Sequence, residues 1–129
     1  RTMVNNIQKV FEFHEKFNVE QNTNPTNIKS EDFLLRHNLM KEENDEYLSA
    51  CKENNLIEIA DALGDQLYIL LGTICKHGLQ YKIQEVFDEI HRSNLSKLDE
   101  NGNPIFREDG KVLKGPNYTK PDIKNILNV

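Results

Sequence analysis

The sequence contains no tryptophan and very little cysteine, and its cysteines lack the spacing of a metal clip. Cys51 and Cys75 are the only two, and neither belongs to a Cys-x-x-Cys motif or a histidine cluster. Structural zinc sites usually have such paired spacings, so the two cysteines fit small core residues better than a metal clip. Both thiols fall within periodic apolar stretches, which predicts small core residues.

Long apolar runs are also missing from the sequence. No uninterrupted apolar stretch approaches the roughly 20 residues needed to cross a bilayer, and the first residues contain no secretory hydrophobic segment. We therefore expect a cytoplasmic protein with no membrane partner.

Positive charge is in short supply. The 129 residues carry 16 Lys and Arg against 21 Asp and Glu, a formal charge of -5. This balance does not favour broad attraction to nucleic acid or to an anionic membrane, so no nucleic-acid partner is expected. A phosphate-bearing ligand would need positive charge supplied locally at its site. The length fits a single domain over residues 1–129.

Several nucleotide-binding and catalytic motifs are absent. The sequence has no GxGxxG, no Walker-type glycine-rich loop, no GxSxG and no HExxH. A di-iron carboxylate bundle needs paired Glu-x-x-His motifs. The nearest match in this sequence is a single Asp88-x-x-His91. The chemistry must therefore come from another pattern of residues.

Helical periodicity covers most of the first 98 residues. Apolar residues recur every three or four positions in four segments, at residues 4–17, 31 to about 53, 56–78 and 83–98. Ser30 stands where an N-cap is expected, and Gly78 where a left-handed C-cap is expected. Four helices with short connections predict an all-α four-helix bundle over about residues 4–98.

The sequence changes character after Leu98. Asp109 and Gly110 lie between two short extended segments and predict a two-residue hairpin turn. A lone hairpin is barely stable in water, so we expect it to pack on the bundle or on another subunit. The expected fold is thus a helical bundle with a short C-terminal β-hairpin and tail over about residues 99–129, ending in a helical turn or two.

Acidic residues crowd two consecutive predicted helices. They are Glu42, Glu43, Glu46, Glu58, Asp61 and Asp65. At about 100° per residue, each group projects largely to one side of its helix. A solvated helical face usually mixes charge signs, whereas no Lys or Arg occurs between Leu56 and Cys75. Like charges at this spacing destabilise a helix, so a positive partner is expected.

A hard divalent cation is the economical partner for these acids. Mg²⁺ prefers oxygen ligands in octahedral geometry and commonly binds carboxylates, waters and substrate phosphates together. Two facing acidic helices would hold such an ion, with Mn²⁺ as the alternative.

The fourth predicted helix has a polar interruption on its apolar stripe. Asn94 and Lys97 occupy positions where the periodicity calls for apolar residues. Either the helix frays there and both side chains are solvated, or Lys97 meets a phosphate and Asn94 hydrogen-bonds a phosphate, a sugar or a metal-bound water. Arg36 and Lys114 are further candidate cations.

Taken together, these segments resemble a known superfamily. Glu42-Glu43-x-x-Glu46 followed by Glu58-x-x-Asp61 resembles the EExxE, spacer, ExxD signature of the all-α nucleoside triphosphate pyrophosphatases, which include MazG-like enzymes. The segments "RHNLMKEENDEYLSA", "HRSNLSKL" and "DGKVLKGPNYTKPDI" look most like the phosphoribosyl-ATP pyrophosphohydrolase-like branch. The resemblance runs from about residue 11 to residue 123.

The resemblance implies hydrolysis of a nucleoside triphosphate between its α and β phosphates, releasing a nucleoside monophosphate and pyrophosphate. It implies four Mg²⁺ ligands: Glu43, Glu46, Glu58 and Asp61. Glu42 would orient or deprotonate the attacking water or serve as a ligand, and Asn94 and Lys97 would meet the phosphates. Asp65 would support the ligands or bind at longer range. Related proteins are dimers, or tetramers built from dimers, so a homodimer or tetramer is expected.

Other functions stay open at this point. One is phosphoribosyl-ATP pyrophosphohydrolase activity, and another is a non-catalytic nucleotide- or metal-binding regulator. A third is a structural helical dimerisation module. The base would be read by side chains from the first helix and from the Asn-rich loop before Ser30, where the candidates are Asn22, Asn24 and Asn27.

Overall fold

A computed structural model describes residues 2–129, with side chains from residue 3 onward. The described chain is all-helical and contains no sheet. Its helices are α1 (Thr2–Lys16), α2 (Ser30–Lys52), α3 (Leu56–Lys76), α4 (Ile83–Leu95) and α5 (Ile123–Leu127). The chain divides into two compact units, Arg1–Tyr81 and Lys82–Val129, each considered by itself. None of the helices in residues 2–129 has the length and apolar character that a bilayer span requires.

The first unit is built on a hairpin of two long helices. Only residues 53–55 separate α2 from α3, so the two helices pack along each other, and α1 packs on α3. Across the α2–α3 seam, Gln66 Nε2 donates to Asn44 Oδ1 at 3.3 Å. The buried apolar residues of this unit are Ile7, Val10, Ala50, Ala62, Leu71 and Cys75.

The ends of α2 and α3 show which predicted caps are formed. Gly78 has a φ of +66°, and the backbone N–H groups of Gly78 and Leu79 bond to carbonyls of the last turn, which confirms the predicted C-cap. The predicted N-cap at Ser30 is wrong, because Ser30 is already the first residue of α2. The preceding residue, Lys29, makes no side-chain cap, and its carbonyl accepts from the N–H of Asp32 at 3.0 Å.

The second unit consists of α4 with the tail held along it. The Oγ of Ser93 donates to the carbonyl of Thr119 at 2.9 Å, and Arg92 Nη1 donates to Thr119 Oγ1 at 2.7 Å. The backbone N–H of Asp122 donates to Glu89 Oε2 at 2.7 Å. The predicted last helical turn is present as α5, which packs on α4.

The predicted C-terminal β-hairpin is wrong. The turn at Asp109-Gly110 forms, with Gly110 at a φ of +90°, but only one isolated bridge joins Phe106 to Val112. In this register the next ladder bond would join the N–H of Gly115 to the carbonyl of Asn103. Pairing stops because the N–H of Gly115 donates to the carbonyl of Lys97 at 2.8 Å instead, and the Asn103 carbonyl accepts from the N–H of Asp99 at 2.8 Å. No strand therefore develops in the described residues.

Candidate functional site

The α2–α3 hairpin brings both acidic groups to one end of the first unit. The acids of α2 occupy its second half, and those of α3 begin in its first turn. Asn55 fixes the start of α3, because its side-chain oxygen accepts from the N–H of Glu58 at 3.1 Å. This cap places the Glu58 carboxylate in the first helical turn, where the helix dipole favours negative charge.

An open groove of about 500 Å³ lies between the acidic ends of the two helices. Its lining residues are Asp45, Glu46, Ser49, Ala50, Glu53, Glu58 and Asp61. The groove thus collects three of the four carboxylates expected to bind a metal. Ala50 is buried and small, which leaves room between the helices at this point.

The fourth of these carboxylates, Glu43, is half-buried beside the other acids. Its Oε1 atom is buried and has no hydrogen-bond partner among the described residues. Sharing of a proton with the Glu46 carboxyl group, loss of hydration, and the nearby charges of Asp65 and Asp61 raise the pKa of Glu43 to about 7. A buried, unpaired carboxylate oxygen costs stability, so this position fits a bound cation.

The side chains stand near one another without forming a closed coordination shell. In residues 2–129, no three Asp, Glu, His or Cys side chains lie close enough to hold one metal ion as they are placed. The donors are all carboxylates, which is the ligand type that hard divalent cations prefer. The donor chemistry and the unpaired Glu43 oxygen fit such an ion.

Besides Glu43, two acidic residues of the predicted set lie outside the groove. Glu42 is exposed on α2 and does not line it. Asp65 is also exposed and lies close enough to Glu43 for its charge to affect that carboxyl group. Asp65 thus belongs to the same acidic neighbourhood, one turn along α3 from Asp61.

Sequence reasoning missed three residues that line the groove: Asp45, Ser49 and Glu53. Asp45 is paired with Lys41 at 2.8 Å on the surface, and both side chains are largely exposed. A signal for these positions was available, because residues four apart on α2 share a helical face. Glu53 lies just beyond the last residue of α2, at the predicted end of the second helix.

Arg36 lies away from the acidic groove, in the seam between α2 and α3. Its Nη2 atom donates to the carbonyl of Ile69 at 2.9 Å and its Nε to Thr73 Oγ1 at 3.1 Å. Burial lowers the pKa of its guanidinium. Close by, His14 is also buried, with its Nδ1 2.9 Å from Gln21 Oε1. The structure does not bring Arg36 together with the other predicted site residues.

The remaining predicted cations and the amide belong to the second unit. Asn94 lies exposed in the last turn of α4, which ends at Leu95. Lys97 follows the helix and is half-buried, and its N–H donates to the Asn94 carbonyl at 3.2 Å. The ammonium of Lys114 lies 4.9 Å from the centre of the Tyr118 ring. The helix therefore ends before Lys97.

The Asn-rich loop is held against the end of α3. Asn22 Nδ2 donates to the carbonyl of Lys76 at 2.7 Å, and its backbone N–H donates to the carbonyl of Cys75 at 3.1 Å. The side chain of Asn22 therefore caps a helix. Asn24 and Asn27 are exposed, and base recognition by them stays a prediction.

Comparisons with known proteins identify a family for this chain. Residues 10–94, more than half of the chain, match the sequence model of the phosphoribosyl-ATP pyrophosphohydrolase family. An uncharacterized protein of Acanthamoeba polyphaga mimivirus is 34% identical over 134 residues, covering 95% of this chain and 48% of its own length. The chain thus spans about half of that relative. It belongs to the phosphoribosyl-ATP pyrophosphohydrolase family, within the all-α, MazG-like nucleoside triphosphate pyrophosphatase superfamily.

Proposed function

We propose that this protein hydrolyses nucleoside triphosphates between the α and β phosphates, giving a nucleoside monophosphate and pyrophosphate. The observation that carries the proposal is the half-buried Glu43 carboxylate, whose Oε1 lacks a partner among the described residues, beside a groove lined by Glu46, Glu58 and Asp61. Family membership supports a hydrolase of phosphoric anhydrides.

Mg²⁺, with Mn²⁺ as a substitute, is the proposed cofactor, held by Glu43, Glu46, Glu58 and Asp61. When bound, such an ion neutralises phosphate charge and lowers the pKa of bound water. Glu42, exposed next to the ligands on α2, orients the attacking water or takes its proton. Asp65 supports the arrangement from the next turn of α3.

Asn94 and Lys97 are proposed to meet the substrate phosphates. Lys97 is half-buried and takes part in no ion pair in the described chain, so its ammonium is available to an anion. Arg36 and Lys114 are less suited to this role, because Arg36 is buried and Lys114 lies on an aromatic ring.

A homodimer, or a tetramer built from dimers, is the proposed assembly. Large apolar side chains of α2 and α3 are exposed: Leu34, Leu35, Leu48, Leu56, Ile57, Leu63, Leu67 and Leu70. Ile57 is 80% exposed and Leu56 76%. So many exposed apolar side chains on two helices favour an interface, and a second copy supplies a complementary surface.

The deciding experiment is incubation of the purified protein with Mg²⁺ and a panel of dUTP, dCTP, ATP and phosphoribosyl-ATP, with chromatographic separation of the products. We expect monophosphate and pyrophosphate from at least one triphosphate, and loss of turnover in Glu43→Gln and Asp61→Asn. Glu31→Gln, at the other end of α2, is the matched control and should retain activity. Turnover of phosphoribosyl-ATP alone would instead assign the narrower family activity.

A non-catalytic nucleotide- or metal-binding regulator is the alternative function. It would bind Mg²⁺ and nucleotide without releasing products, so binding measured beside the turnover assay separates the two functions. Unchanged turnover in Glu43→Gln and Asp61→Asn would overturn the proposed mechanism.

A further inference from the structure

Arg36 is a buried cation without an anionic partner in the described chain. The residue is only 8% exposed, and none of the ion pairs in residues 2–129 includes it. Its hydrogen bonds go to two neutral oxygens, the carbonyl of Ile69 and the hydroxyl of Thr73. Burying an ionised side chain without a counter-charge is unfavourable, so the fold keeps Arg36 at a cost in stability.

Helix α3 has a destabilising residue at the point where it faces this guanidinium. Gly72 lies in the middle of the last third of α3, where glycine is a poor helix former. A Cβ atom at Gly72 would lie 2.6 Å from Arg36 Nη2, which is too close for any side chain without a shift. The absence of a side chain at Gly72 therefore leaves the space that the hydrogen-bonded guanidinium of Arg36 occupies.

Arg36 lies on the same helix face as one carboxylate of the acidic site. Arg36 and Glu43 are seven residues apart on α2, which places them on the same face about 10 Å apart along the axis. On α3, Ile69 precedes Thr73 by one turn and follows Asp65 by one turn. Because a helix is stiff over two turns, the hydrogen bonds of Arg36, together with the bond from Gln66 to Asn44, constrain how far the carboxylates of α2 stand from those of α3.

From these contacts we propose that Arg36 is a positioning residue for the divalent-cation site, acting through the α2–α3 register and not through contact with substrate. The inference rests on the proposed function, since it concerns the same carboxylates. Neutral acceptors suit this role, because directional hydrogen bonds orient the guanidinium while the carboxylates of the groove remain available to a cation. Mg²⁺ and Mn²⁺ tolerate only small displacements of their ligands, so a slipped register weakens binding.

The test compares Mn²⁺ binding by the full chain with Arg36→Met, Arg36→Lys and Val10→Ala. Affinity is measured by calorimetry, and the electron paramagnetic resonance signal of bound Mn²⁺ reports its ligand symmetry. We expect Arg36→Met to weaken Mn²⁺ binding about tenfold or more and to change the signal. Arg36→Lys keeps the charge but cannot reach both acceptors, so an intermediate loss is expected. Val10→Ala removes a buried α1 side chain, and should lower the melting temperature with Mn²⁺ affinity unchanged.

Each outcome decides the inference. Mn²⁺ binding by Arg36→Met equal to wild type, or an equal loss in Val10→Ala, would overturn the positioning role. If Arg36→Met does not fold, Arg36→Lys decides, and wild-type affinity in that variant overturns the role. Failure of the wild-type protein to bind Mn²⁺ would instead remove the proposed metal-dependent function, and this inference with it.

Discussion

Gly72 faces the guanidinium of Arg36, and a Cβ atom in its place would lie 2.6 Å from Nη2 and 3.0 Å from Nε2 of His14. Two turns earlier on the same helix, Gly64 has no heavy atom within 4 Å of the corresponding position. The two glycines of α3 therefore differ in what surrounds them, although the sequence presents both as helix-interior glycines.

The first prediction follows from this contrast. Gly72→Ala should lower the free energy of unfolding by about 1–3 kcal/mol, because the overpacking outweighs the improved helix propensity. Gly64→Ala should raise it by up to about 1 kcal/mol, since the added methyl group meets only open space. Urea unfolding followed by circular dichroism measures both changes. A shift of the same sign for the two variants would contradict the packing seen around Arg36.

The second prediction concerns Glu43 in the absence of metal. Glu43→Gln should raise the melting temperature of the metal-free protein, because it removes a half-buried carboxylate that the charges of Glu46, Asp65 and Asp61 disfavour. The same substitution should abolish the increase in melting temperature that Mg²⁺ gives the wild-type protein. A thermal melt with and without Mg²⁺ provides both readings, with Glu31→Gln as control. Equal Mg²⁺ stabilisation of wild type and Glu43→Gln would remove Glu43 from the ligand set.

The third prediction concerns acid sensitivity of the first unit. Burial lowers the pKa of His14 below 6.5; the hydrogen bond with Gln21 raises this pKa in part, and the charges of Arg36 and Lys76 lower it further. The unfolded chain therefore takes up a proton at a higher pH than the folded protein does. Stability from the neutral imidazole is fully present above pH 6.5 and declines as the pH falls below it.

His14→Gln tests this dependence because glutamine does not titrate. Unfolding by urea at roughly pH 7.5 and pH 5 should show a smaller loss of stability on acidification in His14→Gln than in wild type. His91→Gln changes an exposed histidine of α4 and should behave like wild type. If all three proteins lose the same stability, the buried imidazole is not the group responsible.

The fourth prediction concerns the tail of the second unit. Two hydrogen bonds from Arg92 and one from the N–H of Asp122 lower the pKa of Glu89 to about 2, against an ordinary value of 4.5. Because the folded-state pKa is the lower one, this contribution is fully present above pH 4.5 and is lost as the pH falls toward 2.

Glu89→Gln should therefore loosen the tail at neutral pH and flatten its response to acid. Protease cleavage within residues 116–122 measures this loosening and should be faster than in wild type. Glu85→Gln replaces an exposed carboxylate on the same helix and is the matched control. Cleavage at the wild-type rate in Glu89→Gln would mean that the remaining contacts, including those of Ser93, Arg92 and Ser96 with Thr119, are enough to hold the tail.

The sequence predicts helices well here because periodic apolar residues and local caps determine them. All four predicted helices are present, and α3 begins and ends near Leu56 and Gly78 as its flanking residues indicate. The hairpin prediction was wrong for a non-local reason, because the N–H of Gly115 bonds to the carbonyl of Lys97 on another segment. A turn signal at Asp109-Gly110 specifies a reversal of the chain but not the length of the pairing on either side.

The site was predictable in part for the same reason. Spacing on α2 and α3 placed Glu46, Glu58 and Asp61 in one groove, because the hairpin between the helices is short. The role of Arg36 was not visible, because its acceptors lie 33 and 37 residues away and one of them is a backbone carbonyl, which no side-chain pattern encodes.

The loop between α1 and α2 has one further consequence for anyone who alters this protein. Its main-chain and amide contacts to Cys75, Lys76 and His77 make it an external cap for α3. Its length is therefore constrained more tightly than its composition. Exchanging the exposed Asn24 or Asn27 for Ser should leave the stability unchanged, whereas deleting either residue should uncap the helix, so epitope tags and fluorophores belong elsewhere in the chain.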